Sequence, residues 1–319
     1  MATRYLRRMP LLNDKGLTVL GNVLGEMDVG ITPGRLRDLE QQVDAAQKRI
    51  RIPAQQRESF ETQIRDYWGS KSALPRDLAL AMLNVMMHRF EVRRGRAAPS
   101  LFEDLEEVSS EEAESSIIVA ANGTVYEAAV FQLFRTYERA YYFGIDSVCD
   151  ASSENAELFL RLSAELVEAV ATQLARVKSP TLTPITQHKL LRERGSKIME
   201  KWDFPQDTAV KRLVHKIAGL CLEKSQEPNG AVIANAYGIL QSEFDGLAKS
   251  RPQVARALQF AVAYNAVTLV PHHLCQTKEW CLLELGGVAL LKYGLTLKRG
   301  GFVKGTAGQL AEFVAEAGV

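Results

Sequence analysis

The sequence predicts an all-α fold, a two-lobed helical protein of about ten helices with at most one or two short hairpins. Three observations lead there. Hydroxyl side chains stand beside prolines at Thr32-Pro33, Thr183-Pro184 and Ser250-Arg251-Pro252. A hydroxyl cap with proline in the first turn, where the missing N–H costs nothing, marks a helix start. After Ser153 the apolar residues Phe159, Leu162, Leu166, Val170, Leu174 and Val177 recur at steps of three and four, with Glu154, Glu157, Glu165 and Glu168 toward the other side. The period-two alternation of a half-buried strand is almost missing.

Taken in order, the chain opens on an arm, residues 1–16, in which MATRYLRRMP has no apolar run behind its arginines and so does not read as a secretory signal. Helical patterns follow over 34–50, 54–68 and 74–90. Residues 103–116 form an acidic stretch (Glu103, Asp104, Glu106, Glu107, Glu111, Glu112, Glu114) interrupted by Ser109, Ser110, Ser115 and Ser116. With so little apolar surface to offset its ordering entropy, it reads as a solvated loop. Ile117-Ile118-Val119, the Asn122-Gly123 pair and Thr124-Val125-Tyr126 give a short hairpin signal. A helix over 126–143 and the long amphipathic one after Ser153 complete a first lobe, residues 17–178. The second lobe, 179–319, starts at Ser179-Pro180 and carries helical patterns over 184–202, 205–223, 230–249, 251–270, 275–293 and 307–317. Within it, Leu295 to Lys304 reads as a second hairpin or a glycine-rich loop.

The 319 residues hold 39 basic and 38 acidic side chains, 46% hydrophobic and 24% charged residues, which excludes both bulk disorder and a global polyanion-seeking charge. The most apolar stretch, Val254 to Val270, is too short to span a bilayer and carries Arg256, Gln259 and Asn265, so no membrane association is expected. Cys149, Cys221, Cys275 and Cys281 are too few for a disulfide framework, and a reducing, cytoplasmic setting is expected. Asn122-Gly123-Thr124 matches a glycosylation acceptor but is read as a turn.

The common catalytic templates are missing. No G-x-G-x-x-G follows a strand, Gly69-Ser70-Lys71-Ser72 lacks the upstream glycine of a phosphate loop, and neither G-x-S-x-G nor H-E-x-x-H occurs. The chain is therefore read as non-enzymatic, with no cofactor. His272, His273, Cys275 and Cys281, near Glu279 and Glu284, are the one group with metal-ligating types, but the spacing is irregular. On a helix, cysteines six residues apart face nearly opposite ways, so they are expected to be structural, with zinc a lesser alternative and an atypical enzyme site there a third reading. His88, His188 and His215 stand alone as polar tips of helices, and Trp68, Trp202 and Trp280 read as packing anchors.

Charge is distributed unevenly: residues 1–100 sum to +6, 101–178 to −10 and 179–319 to +5. The basic groups are Lys48, Arg49 and Arg51; Arg89, Arg93, Arg94 and Arg96; Lys189, Arg192, Arg194 and Lys197; and Lys298, Arg299 and Lys304 beside Gly300 and Gly301. Each alone suits a solvated face or a helix C-terminus. Together, in both lobes, they predict a groove that follows a phosphate backbone. The expected function is a self-associating protein that binds and packages single-stranded nucleic acid, RNA in preference to DNA, as nucleoproteins and helical coat proteins do. Arg4, Tyr5, Leu6, Arg7, Arg8, Leu11 and Leu12 are the expected oligomerisation residues, on an arm that either exchanges onto a neighbour or folds back on its own lobe. The alternative is a helical adaptor that binds other proteins, on which the basic clusters scatter.

Overall fold

The computed structural model describes residues 6–8, 10–26, 30–69, 72–97 and 118–315. The acidic stretch 103–116, Arg4, Tyr5 and the side chains of Leu11 and Arg96 lie outside the described residues. The chain forms two compact units, one of Val29–Arg139 with Ser225–Ile233, the other of Met1–Asp28, Ala140–Lys224 and Ala234–Val319. Residue 178, the division expected from the sequence, falls inside the second of these.

The smaller unit is helical. Helix α1 (Pro33–Ile50) starts on Thr32 with Pro33 in its first turn and buries Leu39, Val43, Ala46 and Ile50, a stripe of steps of four and three; Arg51, left-handed at φ 59°, ends it. Helices α2 (Ala54–Trp68) and α3 (Arg76–Ala97) follow. α3 is the core of this unit. Leu78, Met82, Leu83, Val85, Met86, Met87 and Phe90 are all buried, on more than one face, because α1, α2 and α4 (Gly123–Tyr137) pack around it. The hairpin expected around Asn122-Gly123 is not formed. The Asn122 side chain instead accepts hydrogen bonds from Thr124 N and Val125 N, both at 3.1 Å, and caps α4, whose buried residues Val125, Ala128, Ala129, Leu133 and Phe134 follow a helical period.

The larger unit contains α5 (Gly144–Ala151), α6 (Ala156–Ala175), α7 (Pro184–Glu200) and α8 (Asp207–Ser225). α6 is the amphipathic helix read from the sequence, capped by Asn155 and buried along Leu162, Leu166, Val170 and Leu174. Beyond α8 the chain turns to strands: β1 (Ala234–Leu240), α9 (Pro252–Ala263), β2 (Val267–Cys275), β3 (Lys278–Leu285), α10 (Gly287–Tyr293), β4 (Gly301–Lys304) and α11 (Ala307–Val314). The strands form one mixed sheet in the order β2-β3-β1-β4, antiparallel except for the parallel β1–β4 pair.

The all-α expectation is therefore wrong, and the protein is α/β. Three expected helices are displaced. Over 230–249 lies β1, central in the sheet and buried along almost its whole length, so it carries no alternation to betray it. Over 251–270 the helix stops at Ala263, and the β-branched run from Val267 enters β2. Over 275–293 the chain first makes β3; Gly286 and Gly287 then start α10, where a Cβ on Gly287 would lie 2.1 Å from the Ala151 carbonyl oxygen. The segment 295–304 supplies β4, which pairs with β1 in parallel and so is not one arm of a local hairpin.

Candidate nucleic-acid interface

α7 positions the site. The Thr183 hydroxyl accepts from Thr186 N, Pro184 fills the first turn, and Pro184, Gln187, Leu191, Gly195, Ile198 and Met199 form the buried face. Gly195 permits close packing on α10, since a Cβ there would lie 2.8 Å from Leu291 Cβ. Gln187, fully buried, donates to the Gly25 and Leu182 carbonyls and accepts from Gly144 N, tying α7 to its surroundings. With that face fixed, Lys189, Arg192, Arg194 and Lys197 emerge along the remaining surface.

At the C-terminal end of α7 an open cleft of about 580 Å³ is lined by Arg161, Arg194, Lys197 and Lys201, with Glu157 the one carboxylate. Trp202, Phe204 and Tyr264 line it too. The Phe204 and Tyr264 rings are stacked, 4.1 Å between centroids and 7° from parallel, and Trp202 leans on Phe204 at 5.7 Å and 52°. Phe204 is buried, whereas Tyr264 remains 47% exposed. Arg161 pairs with Glu157 at 2.6 Å and Arg194 with Glu165 at 3.6 Å. Lys197 and Lys201 are exposed and make no ion pair among the described residues. Lys197 also lines a second cleft, about 490 Å³, with Lys189, Arg192, Lys292, Glu193 and Glu200, where Lys189 pairs with Glu193 and Lys292 with Glu200, both at 3.9 Å. There Arg192 is held by the carbonyls of Leu291 and Lys292, both at 3.2 Å. His188 adds no charge to this surface. Its Nδ1 accepts from Tyr141 N and Tyr142 N, and burial, assisted by Arg192, lowers its pKa to about 4.

The other expected cations are placed elsewhere. In the smaller unit Arg49 grips Glu91 at 2.7 and 3.1 Å, and Arg94 donates to the Ile50 carbonyl at 2.6 Å, completing the C-terminus of α1. Arg89 donates to the Asn229 and Gly230 carbonyls and to Thr124 Oγ1, clamping the returning segment 225–233 to α3 and α4. These three serve the fold. Lys48, Arg51 and Arg93 are exposed. In the larger unit Lys298 and Arg299 line a cleft of about 810 Å³ together with Asp150, Glu154 and Glu284. Arg299 approaches Glu284 at 3.9 Å, and the Asp150 carboxyl is raised by burial and by Asp146 against the opposing pull of Lys298. Charge there is mixed, unlike in the first cleft, where Glu157 is the one carboxylate of the lining. Lys304 donates to Gln276 at 3.1 Å and lies over the Trp280 ring.

The helix expected to carry Cys275 and Cys281 is a hairpin. Cys281 is buried on β3, its thiol raised to about 11 by burial, and His272 faces Glu279 at 3.4 Å on the exposed side. Among the described residues no group of three or more His, Cys, Asp or Glu is arranged to hold a metal ion. Leu6 and Leu12 are buried in this chain itself, next to α6, while Arg7 and Arg8 are exposed.

Sequence reasoning missed Arg161, Lys201, Phe204 and Tyr264 and set Trp202 aside as packing. A usable signal existed: Arg194, Lys197 and Lys201 stand at steps of three and four and lead directly into Trp202-Asp203-Phe204. No protein-family model, curated protein or solved structure matches the chain. Among the described residues no helix is long and apolar enough to cross a membrane.

Proposed function

We propose that the chain binds single-stranded nucleic acid in the cleft at the end of α7, without base specificity and without catalysing a reaction. The observation that carries this reading is the Phe204–Tyr264 stack, open at Tyr264 and bordered by Arg161, Arg194, Lys197 and Lys201. Cations along a cleft neutralise phosphates, and an exposed aromatic face stacks on a base whatever its identity. Phe204 is buried beneath Tyr264 and holds that ring in a fixed plane, so a base meets a surface already ordered.

The test is anisotropy of labelled uridine and deoxythymidine oligomers. Both should bind comparably, because backbone charge and stacking supply the contacts. Tyr264→Ala should lose about 1–3 kcal/mol of binding, the cost of one lost base–aromatic stack, and Tyr264→Phe should lose little. A chain that binds neither oligomer, or binds them equally well without the Tyr264 ring, overturns this reading and favours the protein-binding scaffold.

A further inference from the structure

We propose that α9 and the β2–β3 hairpin form a second surface that reads duplex DNA, with α9 in the major groove and the hairpin tip beside it. The inference uses different side chains from the single-strand cleft and stands without it.

The local order of elements is two helical turns, a longer helix and a hairpin, the order of a helix-turn-helix followed by a hairpin. Two short helical turns, Gln241–Asp245 and Leu247–Ser250, pack on β1, β3 and α9; a single residue, Arg251, then separates them from α9. Val254, Ala257, Leu258 and Ala261 of α9 are buried, and the helix packs on β2 and α11. That leaves Gln253, Arg256 and Gln259 exposed at steps of three, on one face of a helix that contains no Asp or Glu. Their chemistry is that of base-edge readers: Arg pairs bidentately with guanine O6 and N7, Gln with adenine N6 and N7. Lys249 and Arg251 are exposed just before the helix. The acids of these turns and of the hairpin are engaged within the protein, Glu243 accepting from Ala307 N at 2.7 Å, Asp245 from Gln241 Nε2 at 2.9 Å, and the exposed Glu279 facing His272 Nδ1 at 3.4 Å.

The hairpin extends past the sheet. β1 pairs with β3 only as far as Leu240 opposite Trp280, whereas β2 and β3 continue pairing to Cys275 opposite Lys278. An extra residue between Val270 and His273 bends β2, and the amide of His272, at φ 55°, donates to Gln241 Oε1 at 2.9 Å. That bond fixes the hairpin to the first of the two helical turns. The tip then offers Gln276, Thr277 and Lys278, all exposed, with Lys304 bonded to Gln276. A B-form major groove, about 12 Å wide, admits a helix, whereas the deep, narrow major groove of A-form RNA does not. Duplex DNA is therefore the partner to which this surface is assigned.

The test is selection from a randomised DNA duplex library with the full chain, followed by anisotropy on the selected duplex. Gln253→Ala, Arg256→Ala and Gln259→Ala change exposed side chains and should leave the circular dichroism spectrum unaltered. A recurring sequence should emerge, and Arg256→Ala should weaken the selected duplex by roughly 5- to 150-fold, the loss of one bidentate base contact, while hardly changing affinity for an unselected duplex. Lys197→Ala with Lys201→Ala should leave duplex discrimination intact, which separates this surface from the single-strand cleft. The proposal is overturned if no sequence is enriched, if an enriched duplex binds all three α9 variants as it binds the parent, or if duplex RNA binds as tightly as the selected DNA.

Discussion

Replacing Lys197 and Lys201 by Ala should halve the salt sensitivity of single-strand binding, or reduce it further. Four cations line the cleft, but Arg161 is shared with Glu157 and Arg194 with Glu165. Each phosphate neutralised on a single strand contributes about 0.7 to the slope of log affinity against log salt, so the parent slope should lie between about −1.4, for the lysines alone, and about −2.8, for all four. At the upper limit, raising salt from about 50 to 200 mM should weaken the parent about 50-fold and the double variant only about 7-fold. Both lysines are exposed, so folding stability should change by no more than about 1 kcal/mol for the pair, and any loss of affinity in the folded protein can be assigned to the cleft. Anisotropy titrations of a labelled deoxythymidine oligomer at several salt concentrations measure the slopes directly. A parent whose binding ignores salt, or a double variant with the parent slope, would refute the assignment of phosphates to this cleft.

Three further outcomes concern the fold. His188 has a folded pKa near 4 against an unfolded value of about 6.5, so the unfolded state takes up the proton first as pH falls; the stabilisation present above pH 6.5 should diminish by at most about 2 kcal/mol between pH 7.5 and 5, and urea melts of His188→Gln should lack that component. Asp77 and Arg139 face each other at 3.6 Å and are both buried, and Asp77 also accepts from Ile31 N; Asp77→Ala leaves the guanidinium buried without this carboxylate and should cost about 3–5 kcal/mol in chemical denaturation. Leu12, 1% exposed, should cost about 2–5 kcal/mol on truncation to Ala, with unchanged mass in light scattering; a fall in mass would place the arm at an interface between copies.

Helix starts were legible where a proline marked the first turn, as at Pro33, Pro184 and Pro252, although of the three hydroxyls expected to cap only Thr183 does so. α6 was legible from its one-sided apolar stripe, Leu162, Leu166, Val170 and Leu174. The sheet was illegible for physical reasons that differ by strand. β1 lies between β3 and β4 and is buried on both sides, so Ala234 to Ile239 offers no alternation, and a short apolar run reads equally well as a buried helix. β2 has its alternation broken by the extra residue near His272, which shifts the face presented by every residue after it. β4 is four residues long and is defined by its partner, β1, more than sixty positions earlier in the chain. Conversely, Asn122-Gly123 carried a genuine turn signal that the side chain of Asn122 used for a cap instead.

The same contrast explains the cations. An arginine near a helix C-terminus has two uses that sequence cannot separate, satisfying carbonyls and acids of its own fold or facing a ligand. Arg49, and Arg89 and Arg94 from the run 89–96, spend their donors on Glu91, on the Asn229 and Gly230 carbonyls and on the Ile50 carbonyl. Lys197 and Lys201 keep theirs toward solvent. What distinguishes the two sets is not local charge density but the side chains brought near from distant sequence: carboxylates and carbonyls around the first, aromatic rings around the second. Tyr264 reaches Phe204 across sixty positions only because α9 ends at Ala263, where the chain leaves the helix to enter β2. A reading that ran this helix on to 270 therefore had no reason to place Tyr264 at an edge. The error in fold class and the missed aromatic platform are thus one error, made where helix gives way to strand.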